Sequence, residues 1–193
     1  MKLLVNSTPM ALWQSVIKEA EAKCGIPLKE DLEAYLVFLL MRYLKRSDLV
    51  KQMMALDYLQ GLELTPARRI AVLQEVGDKC LLFSGLFPHI AEKRMVKISY
   101  FIGIGQSAYI SVSTANDDLF GSLAKQFVPL MDVLQTVQVY TKKHPDLLPI
   151  EAYDLWNEGG SQRALHVLKQ YTNAVPVNSV NSEDSCPIIL KKF

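Results

Sequence analysis

The sequence predicts an all-α protein, a compact bundle of about seven or eight helices with a kinked central hairpin and an extended C-terminal tail. Apolar residues recur at helical spacing along most of the 193 residues. Proline and glycine stand where helices start and stop, and no segment has the alternation or Asn-Gly turn of a β-hairpin. We therefore expect one helical domain over residues 1–172 and a polar tail with an apolar end over residues 173–193.

Composition and charge exclude several classes of protein. Half of the residues are hydrophobic (50%), which is too many for a disordered chain. The 21 Lys+Arg and 20 Asp+Glu leave a net charge of +1, without the positive field of a nucleic-acid or anionic-membrane binder. Three scattered cysteines indicate a reducing compartment, and the longest apolar run is far below the ~20 residues of a membrane span. We expect a cytoplasmic protein with no nucleic-acid partner and no membrane span.

The first two helices are predicted from their ends. Thr8 and Pro9 are typical of an N-cap and a first helical residue, and Gly25 is typical of a stop. The second helix begins with acids at Glu30 and ends with bases at Arg46, as the helix dipole favours. It is apolar nearly all round, so it is either central in the bundle or half-buried against a partner.

The third and fourth helices are predicted by the same signals. Ser47 and Asp48 cap the third, which stops near Gly61, and Thr65-Pro66 starts the fourth.

A break is predicted over residues 84–88, because Pro88 lacks an N–H donor and Gly85 loosens the backbone. A short turn over residues 88–94 and a helix over residues 96–114 should follow.

The remaining chain predicts one long helix and two short ones. Asn116, Asp117 and Asp118 predict an acidic N-cap for the long helix, which a basic cluster and Pro145 end, and Pro129 should kink it. The short helices cover residues 149–158 and 161–171, with two glycines between them.

No motif predicts catalysis, a cofactor or a metal. The three histidines are separated by long, irregular intervals that do not match a zinc site: His89, His144 and His166. Neither a P-loop nor a nucleophile elbow is present, and no cysteine lies in an evident activating environment. The sequence therefore favours a protein without catalytic activity.

The densest signal is the segment of residues 81–109. It contains Leu-Phe-Ser-Gly-Leu-Phe-Pro at 82–88 and Tyr-Phe-Ile-Gly-Ile-Gly-Gln-Ser-Ala-Tyr at 100–109. This pair resembles an uncharacterised family of bacterial all-helical proteins, with an LF-SGLFP kink followed by a Y-x-x-x-x-G-x-S-A-Y helix. The resemblance implies a bacterial cytosolic protein and brings no activity, cofactor or partner.

Small residues on the second of these motifs predict close packing. Gly103, Ser107 and Ser111 recur every four residues and would form a smooth helix face, with Gly105 beside it.

Two functions fit this pattern. The first is a non-enzymatic interaction protein, an adaptor or regulatory subunit that binds a protein partner or a second copy. The apolar second helix, seven methionines and the tail favour it, and the residues expected to make contact are Tyr35, Phe38, Leu86 and Phe87.

The alternative function is a ligand-binding bundle. It would hold an apolar small molecule at the hairpin between the side chains of Ser84, Tyr100, Gln106 and Tyr109. These groups would otherwise bond backbone atoms freed by the kink.

Overall fold

The computed structural model describes residues 8–43, 54–88, 96–114, 118–141 and 147–171. These residues form nine helices and no strand, which confirms the all-α prediction. In chain order the helices are α1 (Pro9–Cys24), α2 (Glu30–Tyr43), α3 (Met54–Glu63), α4 (Pro66–Gly85), α5 (Ile98–Val112), α6 (Leu119–Lys125), α7 (Phe127–Thr141), α8 (Pro149–Gly159) and α9 (Gln162–Tyr171).

The chain divides into two compact units. Helices α1–α7 belong to the unit Met1–Asp146, and helices α8 and α9 belong to the unit Leu147–Phe193. The tail predicted from residue 173 onward lies outside the described residues and stays a prediction.

Helix α1 has the predicted ends. The Thr8 hydroxyl oxygen accepts a hydrogen bond from the Ala11 N–H at 3.3 Å, and Pro9 is the first helical residue. Gly25 takes the left-handed conformation, with φ at 70°, and its N–H bonds the Glu21 carbonyl. A side chain is strained at this φ, so glycine is the natural residue there.

A helical hairpin of α4 and α5 lies at the centre of the first unit. Helix α4 makes its most extensive contact with α5, and it also packs on α3 and α7. The predicted break is the end of α4 at Gly85, where the Leu86 N–H bonds the Leu82 carbonyl at 2.7 Å. Most of the turn predicted over residues 88–94 lies outside the described residues.

The long helix predicted after Asp118 is two helices. Asp118 caps α6 by accepting a hydrogen bond from the Gly121 N–H at 2.6 Å, as predicted. The chain then leaves the helical conformation at Gln126 and restarts at Phe127. Pro129 lies in the first turn of α7 and has no N–H for the Lys125 carbonyl, so the disruption predicted from this proline is observed three residues before it, as a break between two helices.

Helix α2 buries half of its 14 residues. Seven of its residues are buried, four of them leucines: Leu32, Glu33, Leu36, Val37, Leu39, Leu40 and Tyr43. Phe38 is 53% exposed. The central position and the partner contact that the sequence leaves open for this helix both stay predictions.

The second unit is a hairpin of α8 and α9. Gly160 turns the chain with φ at 70°, and the Ser161 hydroxyl caps α9 by accepting a hydrogen bond from the Ala164 N–H at 3.0 Å. Across both units, none of the helices in the described part of the chain is both long and apolar enough to cross a membrane.

Candidate functional site

A buried carboxylate joins three helices of the first unit. Asp78 on α4 is fully buried, and its Oδ1 accepts hydrogen bonds from the hydroxyls of Tyr35 on α2 at 2.5 Å and Tyr109 on α5 at 2.8 Å. Its Oδ2 accepts from Nη1 of Arg42 on α2 at 3.3 Å. The Gln74 amide donates to the Tyr35 oxygen at 3.3 Å. These five residues are called the carboxylate cluster below.

Helix geometry brings these side chains together. Tyr35 and Arg42 are seven residues apart on α2, and Gln74 and Asp78 are four apart on α4, so each pair shares a helix face. The face of α2 and the face of α4 meet at Asp78, and Tyr109 of α5 also reaches this point. Its ring lies between aromatic neighbours, among them Tyr35 and Phe127. Its ring stands edge-on to Tyr35, with centroids 6.5 Å apart and planes at 83°.

A glycine on α4 makes room for the Tyr109 ring. A Cβ added at Gly77 would lie 2.6 Å from Cε1 of Tyr109, well inside van der Waals contact. The residue before Asp78 must therefore lack a side chain for the Tyr109 hydroxyl to reach the carboxylate.

Burial controls the charge of the cluster. It raises the pKa of Asp78 to about 6, although hydrogen bonds from Tyr35 and Tyr109 and the Arg42 charge lower it. Burial and the Asp78 charge also raise the pKa of both tyrosines, so their hydroxyls remain protonated donors. A carboxyl group with a pKa of about 6 changes its charge within the physiological range.

The arrangement can take up a proton at Asp78. Both carboxylate oxygens are occupied by donors from the chain itself. Nearby Cys80 is buried, and burial raises the pKa of its thiol, so it remains a thiol at neutral pH. Among the described residues no group of three or more His, Cys, Asp or Glu side chains is placed to hold a metal ion.

The residues predicted to line a ligand pocket have separate partners. Ser84 is buried and its hydroxyl donates to the Cys80 carbonyl at 2.9 Å, the backbone bonding that the sequence left as the alternative. Gln106 donates to the Ala124 carbonyl at 3.3 Å. Tyr100 is 39% exposed, and Tyr109 belongs to the carboxylate cluster. A small-molecule pocket at the hairpin stays a prediction.

The residues predicted to contact a partner are divided between core and surface. Tyr35 is held in the carboxylate cluster and Leu86 is buried. Phe87 is half-buried, and Phe38 is exposed on α2. Phe38 therefore offers the largest described surface of the four.

Helix α3 has an apolar surface that sequence reasoning missed. Leu56 and Leu59 are 50% and 58% exposed, and Gln60 and Glu63 continue the same exposed row at helical spacing. These four residues are called the α3 face below. The signal was present in the sequence, because Leu56 and Leu59 are three residues apart, but spacing alone does not show which apolar face is covered.

The inner side of α3 rests on α4 through Gly61. A Cβ at Gly61 would meet Cδ2 of Leu73 at 2.8 Å. Burial is described for residues 55–63 of α3, and among these Gly61 alone is buried. Helix α3 therefore lies on the outside of the bundle.

The sequence also contained an unused signal for the carboxylate cluster. Asp78 is a lone acid between Val76 and Cys80, two residues of types that are usually buried. A buried acid needs donors, and these lie on other helices.

The fold and the cluster define an all-helical protein with a buried, titratable carboxylate in its first unit. Comparison of the chain with protein-family models, curated proteins and solved structures finds no match. The resemblance of residues 81–109 to a bacterial family therefore stays a prediction.

Proposed function

We propose that this chain is a non-enzymatic protein-interaction module that binds a partner through the α3 face. The observation that carries the proposal is the exposure of Leu56 and Leu59 on the outside of the bundle. Cytoplasmic location and bacterial origin, expected from the cysteine usage and from the motif resemblance, belong to the same proposal.

The energetics favour burial of this face. A leucine that is moved from water into an apolar environment gains about 1.5–3 kcal/mol when it is fully buried. Leu56 and Leu59 are adjacent on one row and each leaves half or more of its surface in water. A partner that covers both leucines gains several times the thermal energy from the two side chains.

Charge indicates the chemistry of the partner. Helix α3 carries Asp57 and Glu63 and contains no lysine or arginine. A two-fold contact between two copies of α3 would bring these acids together, which is unfavourable. The partner that fits is an amphipathic helix with an apolar stripe and flanking lysine or arginine residues.

A model peptide tests this proposal. We expect a synthetic amphipathic helix of leucine and lysine to bind the full chain, and its leucine–glutamate counterpart to bind at least ~10-fold more weakly. The double substitution Leu56→Ser with Leu59→Ser should weaken binding of the leucine–lysine peptide at least ~10-fold, since both apolar contacts are lost. Fluorescence anisotropy of labelled peptides measures each affinity.

Leu12→Ser is the matched control, because Leu12 is 54% exposed on α1. It should leave the affinity for the leucine–lysine peptide within ~2-fold of the wild-type value. Equal weakening by the control and the double variant would contradict a site on α3. Equal binding of the two peptides would contradict the basic partner.

A further inference from the structure

The ion pair of Asp78 reaches from the core to the surface. The Asp78 side chain has no exposed area, whereas the Arg42 side chain is 48% exposed and its Nη1 lies 3.3 Å from Oδ2. The guanidinium also lies over the Tyr43 ring, 5.9 Å from the centroid. Arg42 is therefore the partner of Asp78 that can leave for solvent without breaking the core.

The surroundings of Asp78 make its ionised form less favourable than it would be in water. The full charge of Asp78 is buried, but the cation that balances it is partly in water, where its attraction is screened. Glu75 on the same helix adds a second negative charge near Asp78. Both features favour the protonated carboxyl group.

We propose that Asp78 is a proton-operated latch: uptake of one proton on Oδ2 releases the Arg42 guanidinium to solvent, while Tyr35 continues to join α2 to α4. The proton comes from solvent and forms an O–H bond, so Oδ2 no longer presents a charged acceptor to the guanidinium. Oδ1 still accepts from Tyr35 and Tyr109, and the core contacts persist. This inference goes beyond the proposed function and does not depend on the α3 face.

The tyrosines and the arginine around Asp78 keep their charge state near neutral pH, so Asp78 is the group whose protonation operates the latch. Around it stand Tyr35, Arg42 and Tyr43 from α2, Glu75 and Lys79 from α4, and Tyr109 from α5. The pKa values of the tyrosines are all raised by burial, that of Tyr43 to about 12, so they stay neutral. Arginine stays charged throughout, and Lys79 is paired with Glu75 at 2.8 Å.

Carbon-13 NMR of the full chain tests the latch. We expect the Asp78 carboxyl signal to titrate with a midpoint between pH 5 and pH 7, consistent with the pKa of about 6. The Arg42 Cζ signal should shift with the same midpoint, because the guanidinium loses its acceptor as the carboxylate is protonated. Asp78→Asn should abolish both titrations.

Arg42→Gln is the second variant, chosen because Arg42 is half exposed and its loss leaves the core intact. It should move the Asp78 midpoint to higher pH, since the cation that favours the ionised form is gone. An Asp78 midpoint near pH 4, an Arg42 signal that does not follow Asp78, or an unchanged midpoint in Arg42→Gln would each overturn the latch.

Discussion

Replacing Asp78 by alanine is expected to lower the free energy of unfolding of the α1–α7 unit by about 3 kcal/mol at pH 5. The substitution removes the acceptor of two tyrosine hydroxyls, and each buried donor left without a partner costs about 1–3 kcal/mol. Urea denaturation followed by circular dichroism measures the change. Asp57→Ala on α3 is the matched control and should change stability by less than about 1 kcal/mol, because it removes an acid that is not buried.

The cost of Asp78→Ala should fall as the pH rises. The pKa of Asp78 is raised from 3.8 to about 6 in the folded chain, so the folded state binds this proton more tightly than the unfolded state. The contribution of Asp78 to the free energy of unfolding of the wild-type chain is therefore greatest at low pH, and it declines as the pH rises from about 4 to about 6. The alanine variant has no such slope. A penalty that grows between pH 4 and pH 7 would contradict this electrostatic account of the cluster.

Alanine at two neighbouring glycines of α5 should have opposite effects. A Cβ at Gly105 would press into the Phe127 ring and lie 2.9 Å from Cβ of Cys80, so Gly105→Ala should destabilise the chain by about 1–3 kcal/mol. Gly103 is exposed, and a Cβ there meets nothing within 4 Å. Gly103→Ala should stabilise the chain by about 0.5–1 kcal/mol through helix propensity. Thermal unfolding of both variants measures the difference, and the same sign for both would contradict the packing of α5.

This pair corrects the interpretation of the small residues. The spacing placed the smooth packing face on Gly103, Ser107 and Ser111, with Gly105 beside it. Gly105 is the residue that lets α5 approach its neighbours, and Gly103 faces solvent. The four-residue spacing identified a helix correctly, but it did not show which side of that helix is covered.

Local chemistry predicted much of the fold. The N-cap at Thr8, the stop at Gly25 and the cap at Asp118 each depend on side chains within a few residues, so the sequence specifies them directly. The break at Gln126 is signalled by Pro129, which has no N–H for the Lys125 carbonyl, but this signal does not distinguish a kink within one helix from a break into two. The sequence pattern therefore predicted one helix where the structure has two.

The candidate site depended on contacts that are distant in sequence. Asp78 bonds Tyr35 across 43 residues and Tyr109 across 31. The sequence predicts Tyr109 as a site residue from its place in the hairpin, and Tyr35 from its place on the apolar second helix. Their common partner could not be predicted, since the relative rotation of α2, α4 and α5 is set by packing and not by any local motif.

Amide hydrogen exchange of the full chain, with and without the leucine–lysine peptide, tests the central claim most directly. If α3 is the docking surface, peptide binding should slow amide exchange in residues 54–63, because a helix covered by a partner opens less often. The double substitution at Leu56 and Leu59 should remove this protection. Slower exchange confined to α2 around Phe38, with residues 54–63 unchanged, would contradict the proposed function.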